Sequence, residues 1–170
     1  MQEVLRVIAR AKHTFLKFLS ANDLGLTGSH QAGIYLTKEC WRLFLDQPGG
    51  NENIEQQVSL NWGDGRATMS FFKWYGEGTR SEYRLTRVKD IFRDQEERYL
   101  GALFVLMLTD EGYEARLLDR EPAIDSVLDF LGITPAESGR MLRFDLEERL
   151  RPFCEAYAAQ FGQSFPDTAD

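Results

Sequence analysis

Residues 57–88, QVSLNWGDGRATMSFFKWYGEGTRSEYRLTRV, carry the strongest fold signal in this chain. Apolar residues alternate through 57–62 and, after a Gly-Asp-Gly turn, again through 66–75, which is the period of a half-buried β-strand. A second glycine-containing loop follows, and 83–88 continues as a third strand. The stretch therefore predicts successive strands joined by tight turns.

Short strands also outnumber helices in the rest of the chain. Strands are predicted over 13–20, 31–36, 102–108 and 113–118, helices over 2–12, 38–45, 121–131 and 141–161, and loops over 20–30 and 89–98. Many short strands, few helices and no β-α-β alternation predict a mainly β barrel or sandwich with flanking helices.

Composition excludes several classes of protein. The 170 residues are 43% hydrophobic and 28% charged, which are globular values for one domain. The longest apolar run, 102–108, is too short to cross a membrane, and the N-terminus lacks the uninterrupted apolar segment of a secretory signal. We therefore expect a reduced, cytoplasmic protein that has no membrane partner.

The motifs of common catalytic sites are absent from the sequence. His13 and His30 are the two histidines, and neither has metal-ligand spacing. No lysine follows an acidic residue by two positions, which is the spacing sought for a metal-dependent nuclease, and no nucleophile or nucleotide-binding motif occurs. Cys40 and Cys154 lie in apolar helical stretches and are expected in the core. We predict a noncatalytic chain with no metal and no cofactor.

Charge is unevenly distributed along the chain, whose net charge is −7. Residues 66–93 carry seven basic and three acidic side chains, whereas 1–65 have a net charge of −1 and 94–170 a net charge of −10. One basic segment in an acidic molecule is typical of a protein with a single anion-binding face. Ordinary surface variation explains the charge pattern equally well at this point.

Residues 79–87 form the densest polar cluster outside the acidic half of the chain. On a strand, Arg80, Glu82, Arg84 and Thr86 share one face, and Ser81, Tyr83 and Leu85 share the other. Arginine can donate two hydrogen bonds to guanine, and glutamate can accept one from cytosine, so the row suits the DNA major groove. A solvated strand with cross-strand ion pairs is the alternative.

A second polar set lies in the loop that follows the first strand. Hydroxyl, amide and backbone N–H groups of such loops are common partners of phosphates and base edges. The alternative is that Asn22, Asp23 and the glycines only build the turn. The set comprises Lys17, Ser20, Asn22, Asp23, Thr27, Ser29, His30 and Gln31.

Two blocks, 17–35 (KFLSANDLGLTGSHQAGIY) and 72–87 (FKWYGEGTRSEYRLTR), resemble the two arms of the N-terminal effector domain of EcoRII-type restriction endonucleases. The resemblance covers about residues 13–131. It implies the DNA-binding pseudobarrel of the plant B-three transcription factors, an open barrel of seven strands with flanking helices. Such domains hold the major groove between an N-arm, here about 17–35, and a C-arm, here about 73–89.

The resemblance also implies site residues and a role. The family's N-arm histidine and tyrosine correspond to His30 and Tyr35, and its C-arm motif K-T-R-x-E-K-R is matched by Thr79, Arg80, Glu82 and Arg84. Gly78 and Tyr83 replace the two lysines of that motif, which should weaken phosphate contacts. The implied function is recognition of CCWGG, or a related short site, by an effector domain whose nuclease domain lies elsewhere in the parent protein.

The residues that we expect to contact DNA fall into two groups. Base edges are assigned to Arg80, Glu82, Arg84, Asn22, Asp23 and His30; phosphate contact or positioning is assigned to Lys17, Ser20, Lys73, Thr79, Ser81, Tyr83, Thr86 and Arg87. Gln31 and Tyr35 are expected to contact DNA without a more specific assignment. We expect a DNA-binding domain over 1–133 and a helical extension over 134–170 that leads toward the catalytic domain. A protein-docking or autoinhibitory module, and a nuclease with an unfamiliar site, remain the alternatives.

Overall fold

The structure is a computed structural model that describes residues 1–28, 33–134, 142–144 and 146–162. Within the last two ranges, side chains are described for Phe153 and for 155–162. The predicted site residues Ser29, His30 and Gln31 lie outside the described residues.

The described strands form one sheet. Its order is β2-β5-β4-β3-β7-β6-β1-β8, with a parallel pair at β3 and β7 and antiparallel pairs elsewhere. The strands are β1 (His13–Phe18), β2 (Ile34–Leu36), β3 (Ile54–Asn61), β4 (Ala67–Tyr75), β5 (Glu82–Thr86), β6 (Leu103–Thr109), β7 (Gly112–Leu118) and β8 (Leu142–Phe144). The first seven match the predicted number, and β8 adds a short edge strand beside β1.

Helices flank this sheet. They are α1 (Gln2–Arg10), α2 (Trp41–Phe44), α3 (Lys89–Phe92), α4 (Glu121–Leu131) and α5 (Leu146–Phe161), with single 3₁₀ turns at Lys38–Cys40 and Glu96–Tyr99. In α4, Pro122 lies in the first turn and Gly132, in the left-handed conformation, ends the helix as the sequence predicts. None of the helices in the described ranges is both long and apolar enough to cross a bilayer.

Two predictions of secondary structure are wrong. The charged stretch 89–98, predicted as a loop, forms α3 and a 3₁₀ turn, because Ile91, Phe92 and Tyr99 anchor it in the core. The stretch 142–144, predicted as part of the last helix, is the strand β8, which pairs with β1.

Two hydrophobic cores lie on opposite faces of the sheet. Phe104 and Leu106 of β6 point into the first core, which is enclosed by the curled sheet and contains Phe72 and Tyr83. Leu103, Val105 and Met107 of the same strand point into the second core, which α1, α4 and α5 cover. The prediction that 102–108 is a strand covered on both faces is thus confirmed, and α5 packs on the same body through Phe153 and Tyr157.

Candidate nucleic-acid interface

The faces of β3, β4 and β5 that point away from the first core carry polar and charged side chains. The register places Tyr35 of β2 opposite Arg84, Arg84 opposite Lys73, and Lys73 opposite Glu55 of β3. These four side chains therefore form one row across four adjacent strands. On β4 the alternation is clear, because Phe72 and Trp74 are buried in the core while Met69 is exposed.

Arg80, Glu82 and Arg84 form a charged triad at one end of this face. Glu82 Oε1 accepts from Arg80 Nε at 3.0 Å and from Arg84 Nε at 2.9 Å. Burial by itself raises the pKa of Glu82, but the hydrogen bonds and charges of the two arginines outweigh it and lower the pKa below its ordinary value. Glu82 is therefore a carboxylate at neutral pH and can accept a hydrogen bond from a base edge.

The two arginines of the triad differ in their environment. The Arg80 side chain is 43% exposed and lies over the ring of Tyr75 at 4.0 Å, so it is held in position yet accessible. Arg84 is only 3% exposed, since the sheet packs around it. Arg80 is thus the more accessible donor, and Arg84 also supports the local structure.

A concavity of about 1040 Å³ lies along this face. All seven basic residues of the segment 66–93 line it, and Asp90 is the acidic residue in its lining. Gly33, Met69, Thr86 and other residues complete the wall. The seven basic residues are Arg66, Lys73, Arg80, Arg84, Arg87, Lys89 and Arg93. The basic segment seen in the sequence is therefore one surface of the folded chain.

Two cations of the concavity are not neutralised by the described part of the chain. Arg87 and Lys89 form no salt bridge there, and the Arg87 guanidinium lies over the ring of Phe71 at 4.4 Å. Lys73 pairs with Glu55 at 2.8 Å. The surface can thus bind an extended polyanion, which is what the predicted set Lys73, Thr86 and Arg87 requires.

Asp23 and Lys17, both predicted to contact DNA, instead form a buried ion pair, which corrects those assignments. Lys17 Nζ donates to Asp23 Oδ1 at 2.8 Å and to the Tyr35 backbone oxygen at 2.9 Å. Asp23 is 5% exposed, and its oxygens also accept from the N–H groups of Ser20 and Tyr35 and from the Ser20 hydroxyl. The pair fastens the first loop to β1 and β2.

The other predicted N-arm contacts that the structure describes, Ser20, Asn22 and Tyr35, do not line the concavity. Ser20 is exposed, and its hydroxyl donates a hydrogen bond to Asp23. Asn22 accepts a hydrogen bond from Thr27. Tyr35 is half-exposed, with Lys17 Nζ at 5.5 Å and the Arg84 guanidinium at 5.9 Å from its ring centre. Of the described residues of 17–35, only Gly33 lines the concavity, so the structure does not gather all predicted site residues in one place.

Tyr83 belongs to the first core, which corrects its assignment as a phosphate contact. It is 2% exposed, its ring stacks on Phe72, and its hydroxyl accepts from the Gly49 N–H at 2.7 Å. Thr79 and Ser81 lie exposed in the loop before β5, where Ser81 has a φ of +43°. The predicted division of the strand into an Arg84 face and a Tyr83 face is confirmed.

Three basic lining residues were not among the predicted contacts: Arg66, Lys89 and Arg93. The signal that could have identified them was the charge count of 66–93, which included all three. Their position on this surface is set by the turn before β4 and by helix α3. The alternation of polar and apolar residues within 79–87 predicts neither of these elements.

Within the ranges that the structure describes, no cluster of histidine, cysteine and carboxylate side chains has the size of a metal site. Cys40 is buried, and burial raises the pKa of its thiol to about 12, so it is an inert core residue as predicted. The side chain of Cys154 lies outside the described residues.

The architecture defines a class, the B3-type pseudobarrel. One similar structure is the crystal structure of the UbaLAI restriction endonuclease B3 domain with cognate DNA, which matches with a TM-score of 0.54 at 20% identity, covering 84% of this chain and 94% of that chain. An Arabidopsis FUS3–DNA complex matches with a TM-score of 0.46 at 16% identity, covering 63% of this chain and 97% of that chain. The predicted seven-stranded fold is confirmed.

The family follows from the sequence itself. The profile described as "Restriction endonuclease EcoRII, N-terminal" matches residues 9–119, well over half of the chain. This chain belongs to that family, which confirms the resemblance stated from its two arms. None of the curated proteins compared with the chain matches it.

Proposed function

We propose that this chain binds double-stranded DNA sequence-specifically in the major groove, as the noncatalytic effector domain of a type II restriction endonuclease. The observation that carries the proposal is the concavity, because it gathers every basic residue of 66–93 on one face. Family membership supports it, as does the fold shared with a B3 domain solved with cognate DNA.

The charged triad supports recognition of a C·G-containing site. Arg80 has guanidinium donors of the type that pair with guanine O6 and N7. Both arginines of the triad donate to Oε1 of Glu82, so its other carboxylate oxygen, Oε2, can accept from a base. A carboxylate contributes nothing to phosphate binding, so its place between two arginines favours base recognition. We propose CCWGG or a closely related short site, with Arg80, Glu82 and Arg84 at base edges.

The remaining residues act as supports or as phosphate contacts. Lys73, Thr86 and Arg87 line the concavity, and Thr79 and Ser81 lie exposed in the loop before β5. These five residues are proposed to bind phosphates or to position the DNA. On the N-arm, Ser20, Asn22 and Tyr35 with His30 and Gln31 are proposed to reach the duplex from the other side. Lys17 and Asp23 act indirectly, since they fasten this arm to the sheet.

The test is a fluorescence-anisotropy titration with three kinds of duplex of equal length: CCWGG, its single-base variants, and a scrambled sequence. We expect a preference for CCWGG or for one of its variants, with a cost of about 1–3 kcal/mol for each wrong base pair. Equal affinity for all duplexes contradicts sequence specificity. Binding of none of them favours the alternative, a module that docks an acidic surface of a nuclease domain.

The noncatalytic role has its own test. Supercoiled plasmid containing CCWGG is incubated with the chain and Mg²⁺, and we expect neither nicking nor linearisation. The mode of regulation is tested by measuring DNA cleavage by the parent nuclease with and without this domain. Slower cleavage after its deletion indicates stimulation, and faster cleavage indicates autoinhibition. Cleavage by this chain alone contradicts the proposal.

A further inference from the structure

Three cations of the concavity lie apart from the charged triad and belong to neither motif block. Arg66 precedes β4, Lys89 begins the short helix α3, and Arg93 directly follows that helix; we call these three residues the distal rim. Together with Met69 and Ala67 they line the half of the concavity that lies toward the start of β4. All three are exposed.

The register fixes which half of the concavity the distal rim occupies. Arg84 pairs with Lys73 and Thr86 pairs with Phe71, so β5 runs toward the start of β4. The chain after β5 continues in that direction, and Ser70 Oγ donates to the Arg87 backbone oxygen at 3.3 Å. Six residue steps separate Lys73 from Ala67, which is about 20 Å along a strand. The triad and the rim are therefore at opposite ends of one basic surface.

This separation decides what the distal rim can contact. A five-base-pair CCWGG site extends about 17 Å along the duplex axis, at 3.4 Å per base pair, so it reaches only about 9 Å to either side of its centre. The backbone positions of the two ends of the basic surface differ by about 20 Å along β4. When the triad lies on the bases and β4 runs along the groove, the distal rim therefore meets backbone beyond those base pairs.

The intramolecular partners of the distal rim leave it available to phosphate. Arg66 Nε donates to Asp64 at 2.8 Å and Arg93 is paired with Asp90, both on the exposed surface. Such pairs are screened by solvent, and each guanidinium has five N–H donors, so phosphate can bind beside the carboxylate. Lys89 has no salt bridge among the described residues.

We propose that the distal rim binds the phosphate backbone of duplex DNA outside the recognition site, so that the footprint is longer than the sequence that is recognised. This inference rests on the proposed function. The distal rim then adds to the affinity for DNA but does not discriminate between base pairs, since phosphate contacts carry no sequence information.

The experiment pairs charge removal on the protein with charge removal on the DNA. Wild-type chain and the triple variant Arg66→Gln, Lys89→Gln, Arg93→Gln are titrated with duplexes of about 25 base pairs. One duplex is unmodified, and the other has uncharged methylphosphonates in place of the phosphates outside the central CCWGG. For wild type we expect the modified flanks to weaken binding roughly tenfold or more.

The triple variant should lose sensitivity to the flanks. We expect less than about a twofold difference between the two duplexes, a salt slope lower by about 2.7 on the unmodified duplex, and an unchanged preference for CCWGG over scrambled DNA. The matched control Arg10→Gln, Lys12→Gln, Arg120→Gln removes three exposed cations outside the concavity and should behave as wild type. If the triple variant does not fold, Lys89→Gln alone tests the rim with a slope change of about 0.9.

The outcomes separate this inference from the proposed function. Equal flank sensitivity in wild type and triple variant, or none in wild type, overturns the distal rim while leaving site recognition intact. Flank sensitivity that depends on the rim, without preference for CCWGG or its variants, retains the rim and overturns sequence specificity. A control variant as impaired as the triple variant also overturns the inference, because net charge then explains the loss.

Discussion

Asp23 is the residue on which the placement of the N-arm most depends. Its two carboxylate oxygens accept from a buried lysine, from two backbone N–H groups and from a hydroxyl. We expect Asp23→Ala to lower the free energy of unfolding by about 3–5 kcal/mol, because Lys17 is left buried without its counter-charge. Urea denaturation measures this loss. Ser20→Ala removes the two hydrogen bonds that the Ser20 hydroxyl makes with Asp23 but leaves the ion pair intact. It is the matched control and should cost only about 1–2 kcal/mol.

Tyr83 provides a separate test of which side of β5 faces DNA. We expect Tyr83→Phe to destabilise the fold by about 1 kcal/mol, because the Gly49 N–H loses its acceptor, while the ring stays packed. The affinity for CCWGG should be unchanged. A variant of normal stability and weakened DNA binding contradicts the burial of this side chain.

Arg80 is the base-contacting candidate that can be removed with least damage to the fold. Because its side chain is nearly half exposed, we expect Arg80→Ala to leave the midpoint of urea denaturation nearly unchanged and to cost about 1–3 kcal/mol of binding on the specific duplex. Discrimination between base pairs at the contacted position should relax. Equal losses on specific and scrambled duplexes reassign Arg80 to the backbone. Arg84→Ala is a poorer test, since Arg84 is buried and its removal also destabilises β5.

Strand β2 depends on one glycine where it enters the sheet. Gly33 has a φ of +101°, and a Cβ there would lie 2.4 Å from the Leu85 backbone oxygen. We expect Gly33→Ala to destabilise the fold by more than about 1 kcal/mol and to weaken DNA binding, because β2 carries Tyr35 and Gly33 lines the concavity. Denaturation and anisotropy on the same samples measure both effects.

Gly28→Ala is the matched control for this glycine. Gly28 also has a positive φ, +68°, but nothing lies within 4 Å of its Cβ position. Its substitution should therefore cost only the backbone strain, on the order of 1 kcal/mol, and should leave β2 paired with β5. Equal effects of the two substitutions contradict the argument from close approach.

At the level of strands and helices, local patterns predicted most of the fold. Alternation and glycine turns give β3, β4 and β5, and the continuous apolar run gives β6, since both signals depend on neighbouring residues. Strand β8 was missed because a three-residue strand owes its conformation to pairing with β1, about 130 residues earlier in the chain. Helix α3 was missed because charged residues surround the two apolar anchors Ile91 and Phe92.

The candidate site was predictable to a smaller extent, for the same reason. Period two placed Arg80, Glu82 and Arg84 together, and the structure keeps them within hydrogen-bond distance. Lys17 and Asp23 were predicted to contact DNA only because they are polar residues of the first loop region. A sequence does not show whether a carboxylate is buried or exposed. Their burial follows from contacts with Tyr35, a residue outside the local turn.

For the whole molecule, the residues after 133 that the structure describes belong to the folded body. β8 extends the sheet beside β1, and Phe153 and Tyr157 of α5 are buried in the second core with Leu128 and Leu131 of α4. Covering this core keeps the apolar faces of α1 and α4 out of water. The basic concavity is lined by residues of β4, β5 and α3 and of their connections, and by none of the residues of α5 in the described ranges.

Truncation after Ile133 should therefore separate stability from DNA recognition. Burying two aromatic side chains contributes about 1.5–3 kcal/mol each, so we expect the truncated chain to lose at least about 3–6 kcal/mol of unfolding free energy. Phe153→Ala and Tyr157→Ala should each reproduce part of that loss, whereas Gln160→Ala, at an exposed position of the same helix, should not.

Under conditions where the truncated chain remains folded, its preference for CCWGG over scrambled DNA should equal that of the full chain. Undiminished stability of the truncated chain contradicts a structural role for α5, and loss of the preference by a folded truncated chain places part of the recognition surface after residue 133.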